Sequence, residues 1–326
     1  MKIAFFNTKP YDKEFFEKYN QSDEITFYEV PLNPQSIRLA EGFEGICVFV
    51  NDKLNSEIIL TLQSLGIKLI VLRCAGFNNV DLNAAKKAGI KVMRVPAYSP
   101  YAVAEHALAL IMTLNRKTHK AYNRVREGNF SLENLTGFDL HLKTVGVIGT
   151  GKIGEVFAKI MTGFGCKVLA YDPFPNLALQ AAGIEYIDLE SLLNHSHIVS
   201  LHCPLTEATR HLINQQTISQ MKDGAMLINT SRGALIDTQA VVEALKSKKI
   251  GYLGMDVYEQ EENIFFNDLS QQILQDDTLA RLMTFPNVLI TSHQGFFTEE
   301  ALTQIALITF KNVSDFEKGI ASANEL

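Results

Sequence analysis

Short apolar runs alternate with amphipathic helical segments along almost the whole chain. In the first hundred residues, apolar runs predict strands over residues 2–6, 25–28, 45–49, 68–72 and 91–94. A second series predicts strands over residues 144–148, 167–171, 197–201, 225–229, 252–255 and 288–291. Strands that alternate with helices are typical of parallel sheets in α/β proteins. The pattern therefore predicts an α/β protein with two doubly wound parallel sheets.

The two series are separated by a proline-containing break at residues 95–100. Residues 102–114 follow as a helix-like segment that is apolar nearly all round, so we expect it to be buried between domains or against another subunit. Residues 298–317 again have helical periodicity, and we expect this terminal helix to return to the first domain. These features predict one domain of residues 1–100 with 297–326, and a second of residues 101–296. Residues 261–277 are polar and acidic, which predicts an extended loop.

Three glycines follow the first strand of the second series. An apolar strand leads into Gly149-Thr150-Gly151-Lys152-Ile153-Gly154, then a helical segment, then a second strand that ends at Asp172. Gly149 permits a tight turn, Gly151 lets a pyrophosphate approach the backbone, and Gly154 allows helix and strand to pack closely. The helix N-terminus offers N–H groups to the phosphates. This arrangement predicts a dinucleotide site in the second domain.

The acidic residue at the tip of the second strand discriminates between cofactors. Asp172 stands where a carboxylate accepts the hydroxyls of an adenosine ribose. A 2′-phosphate would place its charge against this carboxylate, and the following Pro173-Phe174-Pro175 supplies no cationic side chain. The sequence therefore predicts NAD rather than NADP.

The composition is that of an ordinary soluble globular protein, with 47% hydrophobic and 20% charged residues. A net charge of −6 without a dense Lys/Arg run disfavours a nucleic-acid or membrane-surface partner. The four cysteines have no paired spacing and are expected to be buried free thiols. No secretory signal or bilayer-spanning stretch is visible, so we expect a cytoplasmic protein. No metal-ligand spacing is present.

Side chains that can bind a ligand or transfer a proton follow four strands of the second series. His202-Cys203-Pro204 follow residues 197–201, Thr230-Ser231-Arg232 follow residues 225–229, Asp256 and Glu261 follow residues 252–255, and His293 follows residues 288–291. Ligands of doubly wound sheets bind outside the carboxyl ends of the strands. An arginine, an acid and a histidine are therefore expected at one rim of the sheet.

This set suits hydride transfer to a keto acid. Arg232 can bind a carboxylate bidentately and polarise the neighbouring carbonyl. His293 can give a proton to the carbonyl oxygen, and an acid bonded to it would favour the imidazolium and fix the ring. Taken singly, Arg232 could be a surface arginine, His293 a loop histidine, and Glu261 part of a solvated acidic turn. The other histidines are interpreted as structural or exposed, and His202 as packing against the cofactor.

With these residues in place, the chain resembles the D-isomer-specific 2-hydroxyacid dehydrogenases, and within them the fermentative NAD-dependent D-lactate dehydrogenases, over essentially its whole length. The motifs are RCAGFNNVD at 73–81, VPAY at 95–98, VIGTGKIG at 147–154, NTSRGALID at 229–237 and GMDVYE at 254–259. The resemblance implies a Rossmann cofactor domain, a flavodoxin-like substrate domain and a cleft that closes by hinge motion. It also implies homodimers or homotetramers assembled partly through the helix after Pro100.

The resemblance further implies roles for individual residues. Arg232 matches the substrate-binding arginine, Glu261 the acid that orients and charges the histidine, and His293 the proton donor. The implied cofactor contacts are Gly149, Gly151, Lys152, Ile153, Gly154, Asp172, Cys203, Pro204, Thr230, Ser231 and Asp256. The implied substrate contacts are Ala75 and Gly76, through their backbone N–H groups, and Tyr98, whose side chain lines the pocket. Glu262 remains an alternative for the acid.

These observations predict reversible reduction of pyruvate to D-lactate by hydride transfer from NADH; the stereochemistry comes from the resemblance alone. An enzyme for a bulkier 2-keto acid, branched or aromatic, remains open, because a pocket discriminates by only about 1–3 kcal/mol per methylene. An NAD-sensing corepressor with this fold also remains open. The combined presence of Arg232, Glu261 and His293 counts against that third alternative.

Overall fold

The computed structural model describes residues 1–262 and 264–326, and it divides into two compact units. The first unit consists of Met1–Ser99 and Phe297–Leu326, and the second of Pro100–Phe296. Among the described residues, no helix is long and apolar enough to cross a membrane.

Helices and strands alternate through both units. The strands are β1 (Lys2–Phe5), β2 (Glu24–Phe27), β3 (Gly45–Val48), β4 (Leu69–Leu72), β5 (Lys91–Arg94), β6 (Thr144–Ile148), β7 (Lys167–Tyr171), β8 (Glu185–Tyr186), β9 (Ile198–Leu201), β10 (Ala225–Asn229), β11 (Ile250–Met255) and β12 (Val288–Ile290). The helices are α1 (Pro10–Tyr19), α2 (Ser56–Ser64), α3 (Leu82–Ala88), α4 (Pro100–Arg116), α5 (Thr118–Arg126), α6 (Lys152–Gly163), α7 (Leu177–Ala181), α8 (Leu189–His195), α9 (Gln215–Gln220), α10 (Thr238–Lys246), α11 (Asp277–Met283) and α12 (Glu299–Glu317).

A five-stranded parallel sheet in the order β2-β1-β3-β4-β5 forms the centre of the first unit. Strands β3 and β4 are buried at every position, which explains why their sequences are continuous apolar runs. Helix α12 is capped by Thr298, whose side chain accepts the N–H of Ala301, and it packs against α1 and β4. The expectation that the terminal helix returns to the first domain is confirmed.

A seven-stranded parallel sheet in the order β12-β11-β10-β9-β6-β7-β8 forms the centre of the second unit. Successive residues of β10 face opposite layers: Met226 and Ile228 pack with α4 and α6, whereas Leu227 packs with α8 and α10. The chain runs from β6 outward to β8 and then returns to place β9 on the other side of β6. Ligands of doubly wound sheets bind at such a reversal of strand order.

Helix α4 packs with one face against its own unit, and its burial between domains or against another subunit stays a prediction. Its buried side chains, including Ala107, Leu110 and Leu114, lie against α6, β10 and β11 of its own unit. Glu105 and Ala109 are exposed on the opposite face. Because both faces carry alanine and leucine, composition alone did not distinguish the buried stripe from the exposed one. The helix covers one face of the seven-stranded sheet.

The other strand and cysteine expectations can be compared directly. Each predicted strand is present with its ends shifted by at most two residues, and β8, only two residues long, was not predicted. All four cysteines, Cys47, Cys74, Cys166 and Cys203, are free and buried, as expected.

Candidate active site

The glycine turn after β6 brings three chain segments together. Gly149 has a φ of +92°, and a Cβ there would lie 2.4 Å from the backbone nitrogen of Cys203. A Cβ at Gly154 would lie 1.9 Å from the carbonyl oxygen of Gly149. No atom lies within 4 Å of a Cβ placed on Gly151, which begins α6 without a side-chain cap. Gly149 and Gly154 therefore permit close packing, while Gly151 leaves the helix N-terminus open to a ligand.

Asp172 is tied to the same turn. Its Oδ2 accepts the backbone N–H of Thr150 at 2.7 Å and the Thr150 hydroxyl at 3.1 Å, while Oδ1 accepts the N–H of Phe174 at 2.8 Å. These bonds hold the carboxylate beside the glycine turn, at the tip of β7. Sequence reasoning identified Asp172 but not Thr150, whose role depends on contact between residues 22 positions apart.

Residues that follow β9 and β10 lie at the same edge of the sheet as the glycine turn. Cys203 is buried, and burial raises the pKa of its thiol to about 11, so it remains a neutral apolar group at ordinary pH. The Ser231 hydroxyl donates to the carbonyl of Cys203 at 2.7 Å and joins the two loops. Thr230 is also buried, and its hydroxyl has no hydrogen-bond partner among the described residues. An orphaned hydroxyl at this edge is one place where a bound ligand could complete the bonding.

His202 precedes Cys203 in the chain, and its ring is packed among other side chains and is not suited to acid–base chemistry. Its ring lies 4.7 Å from that of Phe157, and Nε2 is 2.9 Å from the Ser200 hydroxyl. Burial lowers the pKa of His202 to about 3, so the ring stays neutral.

Arg232 follows β10 at the same edge. The Asn229 amide donates to the Arg232 carbonyl at 2.8 Å and fixes the backbone there. A Cβ on Gly233 would lie 2.1 Å from the carbonyl carbon of Tyr258, so this glycine lets the Arg232 loop lie against the segment after β11. Within the described part of the chain, the guanidinium makes a single hydrogen bond, from Nη1 to the Ser231 carbonyl at 2.7 Å. The rest of its donor fork is available to a carboxylate.

Glu261 and His293 are in direct contact. His293 Nδ1 lies 2.9 Å from Glu261 Oε1, although the two residues are 32 positions apart in the chain. Glu261 Oε2 accepts the N–H of Tyr258 at 2.9 Å, so both carboxylate oxygens are engaged. Glu262, the alternative acid, is exposed. The ring of Phe266 lies 5.8 Å from the imidazole and covers it.

The backbone of His293 is held by Asp256. His293 has a φ of +53°, and its N–H donates to the Asp256 carbonyl at 2.7 Å. The buried Asp256 side chain accepts the Thr291 hydroxyl at 2.5 Å and the N–H groups of Gln294 and Gly295, each at 2.7 Å. The loop that carries His293 is therefore held by hydrogen bonds to one carboxylate and to the carbonyl of the same residue.

His106 of α4 completes this cluster. Its Nε2 lies 2.9 Å from Thr291 Oγ1 and 3.3 Å from Asp256 Oδ1. Burial would raise the pKa of Asp256, but hydrogen bonds from His106, Thr291 and Gln294 outweigh it and hold that pKa below its ordinary value. The interpretation of His106 as structural agrees with these contacts. The contact between Asp256 and the cofactor stays a prediction, because the carboxylate already accepts hydrogen bonds from Thr291, Gln294 and Gly295.

The predicted substrate loop belongs to the other unit. Arg94 donates to the Ala75 carbonyl at 2.8 Å, and the Cys74 thiol lies 3.3 Å from the Gly76 carbonyl. The Arg94 guanidinium also lies 4.9 Å from the ring centre of Phe77. Arg94, which carries no motif signal of its own, thus stabilises the loop. The roles of Ala75, Gly76 and Tyr98 toward a substrate stay predictions.

The residues present fit a bound dinucleotide. The turn provides an open helix N-terminus at Gly151, a carboxylate at Asp172 and an unpaired hydroxyl at Thr230. Lys152, Ile153 and Pro204 flank these groups in sequence, and their predicted contacts with the cofactor remain predictions. In the described residues, no group of three or more His, Cys, Asp or Glu side chains could hold a metal ion.

Comparison with known proteins agrees with this geometry. Residues 108–295 match the family described as "D-isomer specific 2-hydroxyacid dehydrogenase, NAD binding domain". The chain is 53% identical to D-lactate dehydrogenase of Escherichia coli K12, with 100% of both chains covered.

Two solved structures are similar over nearly the full length. The pyruvate reductase of Chlamydomonas reinhardtii has a TM-score of 0.95 at 46% identity, covering 99% of this chain and 98% of that one. The D-lactate dehydrogenase of Aquifex aeolicus, solved with NAD and lactic acid, has a TM-score of 0.85 at 36% identity, covering 97% and 96%. Together with the glycine turn, the arginine loop and the paired glutamate and histidine, these similarities establish that the chain belongs to the D-isomer-specific 2-hydroxyacid dehydrogenase family.

Proposed function

We propose that this oxidoreductase reduces pyruvate to D-lactate with NADH, and catalyses the reverse reaction. The observation that carries the proposal is the contact between His293 Nδ1 and Glu261 Oε1 at 2.9 Å. It lies in the same unit as Arg232, whose loop packs against the segment leading to Glu261. The high identity to a full-length D-lactate dehydrogenase supports the choice of substrate.

Arg232 binds the substrate carboxylate in this proposal. Its guanidinium is partly exposed and retains unused N–H donors, and a planar fork matches the two oxygens of a carboxylate. The Asn229 and Ser231 contacts fix its backbone, so the fork is presented in one position. This positioning places the keto carbon relative to the groups that react.

His293 provides the proton. Because Nδ1 faces Glu261, the other ring nitrogen, Nε2, is the one that can donate to the keto oxygen. As the keto carbon accepts a hydride, the carbonyl π electrons move to the oxygen, which takes the proton from Nε2 and becomes the hydroxyl. The neutral imidazole then accepts the proton back in the oxidation direction. Glu261 holds the orientation of the ring through its hydrogen bond to Nδ1.

Bound NADH would supply the hydride, and the residues of the glycine turn would hold it. Gly151 at the start of α6 offers backbone donors to the pyrophosphate, and Asp172 accepts the ribose hydroxyls. The same carboxylate disfavours a 2′-phosphate, so we assign NAD rather than NADP. Thr230, with its unpaired buried hydroxyl, completes the donor set.

We further propose that the protein is a homo-oligomer through α5 and the segment after it. No residue of α5 is buried within the chain. Phe130 and Leu132 follow it with 75% and 81% of their surface exposed, beside an exposed Tyr122 and Val125. Such a group of exposed apolar side chains is typical of an interaction surface. Because the resemblance implies dimers or tetramers, we assign it to a second copy of the chain.

A substrate panel tests the proposed activity. NADH oxidation is measured with pyruvate, 2-ketobutyrate and phenylpyruvate, and NAD reduction with each lactate enantiomer. We expect the highest kcat/KM for pyruvate and activity with D-lactate only. A clear preference for phenylpyruvate would indicate the enzyme for a bulkier acid. Failure to oxidise NADH with every 2-keto acid would favour the corepressor alternative.

A further inference from the structure

A second cluster of cationic side chains lies at the amino-terminal edge of the seven-stranded sheet. Lys143 directly precedes β6, His197 precedes β9, and Lys222 comes shortly before β10. These residues line a cavity of about 250 Å³ together with Phe138 and Tyr252. The residues assigned to catalysis follow the carboxyl ends of the strands, so this cavity is at the opposite edge.

Two hydrogen-bond donors face each other in this cavity. The backbone N–H of Thr144 donates to His197 Nδ1 at 3.1 Å, so Nδ1 is unprotonated and the neutral ring carries its proton on Nε2. Nε2 lies 3.5 Å from the Lys222 ammonium, which is also a donor. Two donors at this distance do not satisfy each other. An acceptor placed between them would accept a hydrogen bond from each.

The positive charge of the cluster is not balanced by nearby carboxylates. No described Asp or Glu forms a salt bridge with Lys143 or Lys222, and the Lys143 ammonium lies 5.9 Å from the ring centre of Phe138. Asp223, the carboxylate among the lining residues, is exposed and pairs with Lys249 at 2.7 Å. Burial is the largest cause of a lowered pKa of His197, and the charges of Lys222 and Lys143 lower it further.

We propose that this cavity binds a small dianion, either a phosphate or a dicarboxylate, through Lys143, Lys222 and His197 Nε2–H. The two ammonium groups match a charge of −2, and the imidazole N–H adds a directional donor. The rings of Phe138 and Tyr252, 6.2 Å apart, wall the cavity and restrict the ligand's size. The site is separate from the glycine turn, which lies at the carboxyl end of β6.

The test measures inorganic phosphate binding to the full-length enzyme by calorimetry in the presence of saturating NADH. NADH fills the phosphate sites of the glycine turn, so that remaining binding belongs either to the guanidinium of Arg232 or to the cavity, and the cavity variants separate these two sites. Malonate provides the dicarboxylate arm, and sodium chloride at matched ionic strength provides the blank. Lys143→Gln and Lys222→Gln remove the proposed donors. Lys246→Gln removes a partly exposed lysine of the same unit that pairs with Glu243, and serves as the control.

We expect saturable binding of phosphate, malonate or both in the presence of NADH, and the preferred probe identifies the chemical source. Each cavity variant should weaken that binding by about tenfold, as loss of one charge-assisted hydrogen bond does, while Lys246→Gln leaves it unchanged. Pyruvate reduction by all three variants should match the wild type, which shows that they fold. Absence of binding by both probes, loss of binding when NADH is added, or equal weakening in Lys246→Gln would overturn the proposal.

Discussion

His293 Nδ1 lies 2.9 Å from Glu261 Oε1, while Glu261 Oε2 accepts the N–H of Tyr258 at the same distance. The carboxylate is therefore fixed at both oxygens, and the imidazole takes its orientation from it. With Nδ1 bonded to the carboxylate, Nε2 is the ring nitrogen left for another partner. The orientation of the imidazole therefore depends on one residue.

We expect Glu261→Gln to slow pyruvate reduction. The amide keeps the size of the side chain but replaces the charge-assisted hydrogen bond to His293 Nδ1 with a neutral one. At neutral pH, kcat/KM should fall by about tenfold, as expected for loss of one charge-assisted hydrogen bond. The measurement is kcat/KM for pyruvate at pH 7. Glu262→Gln, the exposed neighbour, is the control; an unchanged kcat/KM in Glu261→Gln, or an equal fall in both variants, would remove Glu261 from the mechanism.

Asp256→Asn should destabilise the protein and slow catalysis. Its carboxylate accepts hydrogen bonds from the N–H groups of Gln294 and Gly295 and from the hydroxyl of Thr291. The side chain of asparagine has only one accepting oxygen, because its nitrogen is a donor, so it cannot accept all three bonds. We expect a loss of about 1–3 kcal/mol in the free energy of unfolding at pH 7. The loop of His293 should also become less ordered, which lowers kcat. Asp268→Asn, in an exposed loop, is the matched control.

The stability difference at Asp256 has a defined pH dependence. Because its folded-state pKa is held below the ordinary value, the carboxylate contributes stability above the unfolded-state pKa of about 3.9, and this contribution is lost as pH falls through the folded-state pKa. Urea unfolding of wild type and Asp256→Asn should therefore differ most at neutral pH and converge in acid. A difference that stays constant from pH 7 to pH 3 would contradict the role of the ionised carboxylate.

Local patterns predicted the strands and the glycine turn well, because buried parallel strands are continuous apolar runs and the turn is a short contiguous motif. They could not predict that His106 contacts Thr291, since 185 positions separate the two residues. The polar segment after Glu261 contains no strand or helix before α11 in its described part, but Phe265 within it is buried in the core. A few apolar residues in a polar segment were enough to anchor it.

Cofactor preference should depend on Asp172. We expect kcat/KM for NADH to exceed that for NADPH at least about tenfold, because a 2′-phosphate would meet the carboxylate. Asp172→Asn should narrow this ratio by raising the NADPH rate and lowering the NADH rate. Asp139→Asn, an exposed acid of the same unit, should leave the ratio unchanged. Equal rates with both cofactors in the wild type would contradict the assignment.

The oligomeric state should depend on the exposed apolar side chains after α5. We expect the wild type to sediment as a dimer or tetramer, and Phe130→Glu with Leu132→Glu to shift it toward monomer, because buried charges oppose association. Ile273→Glu places the same charge at another exposed apolar position and should not change the mass. A monomeric wild type, or dissociation by Ile273→Glu alone, would disprove the assigned surface.

Two glycines of α6 provide the sharpest test of the turn. A Cβ on Gly154 would lie 1.9 Å from the Gly149 carbonyl oxygen, so Gly154→Ala must push the helix away from the turn. We expect a loss of about 1–3 kcal/mol in the free energy of unfolding, of the order found for overpacked cores, and weaker NADH binding. Gly163→Ala, at the other end of the same helix, meets no atom within 4 Å and should be neutral or stabilising by up to about 1 kcal/mol. NADH titration by fluorescence and urea unfolding measure both effects. Comparable NADH affinity in the two variants would show that close packing of helix and strand is not what shapes the cofactor site.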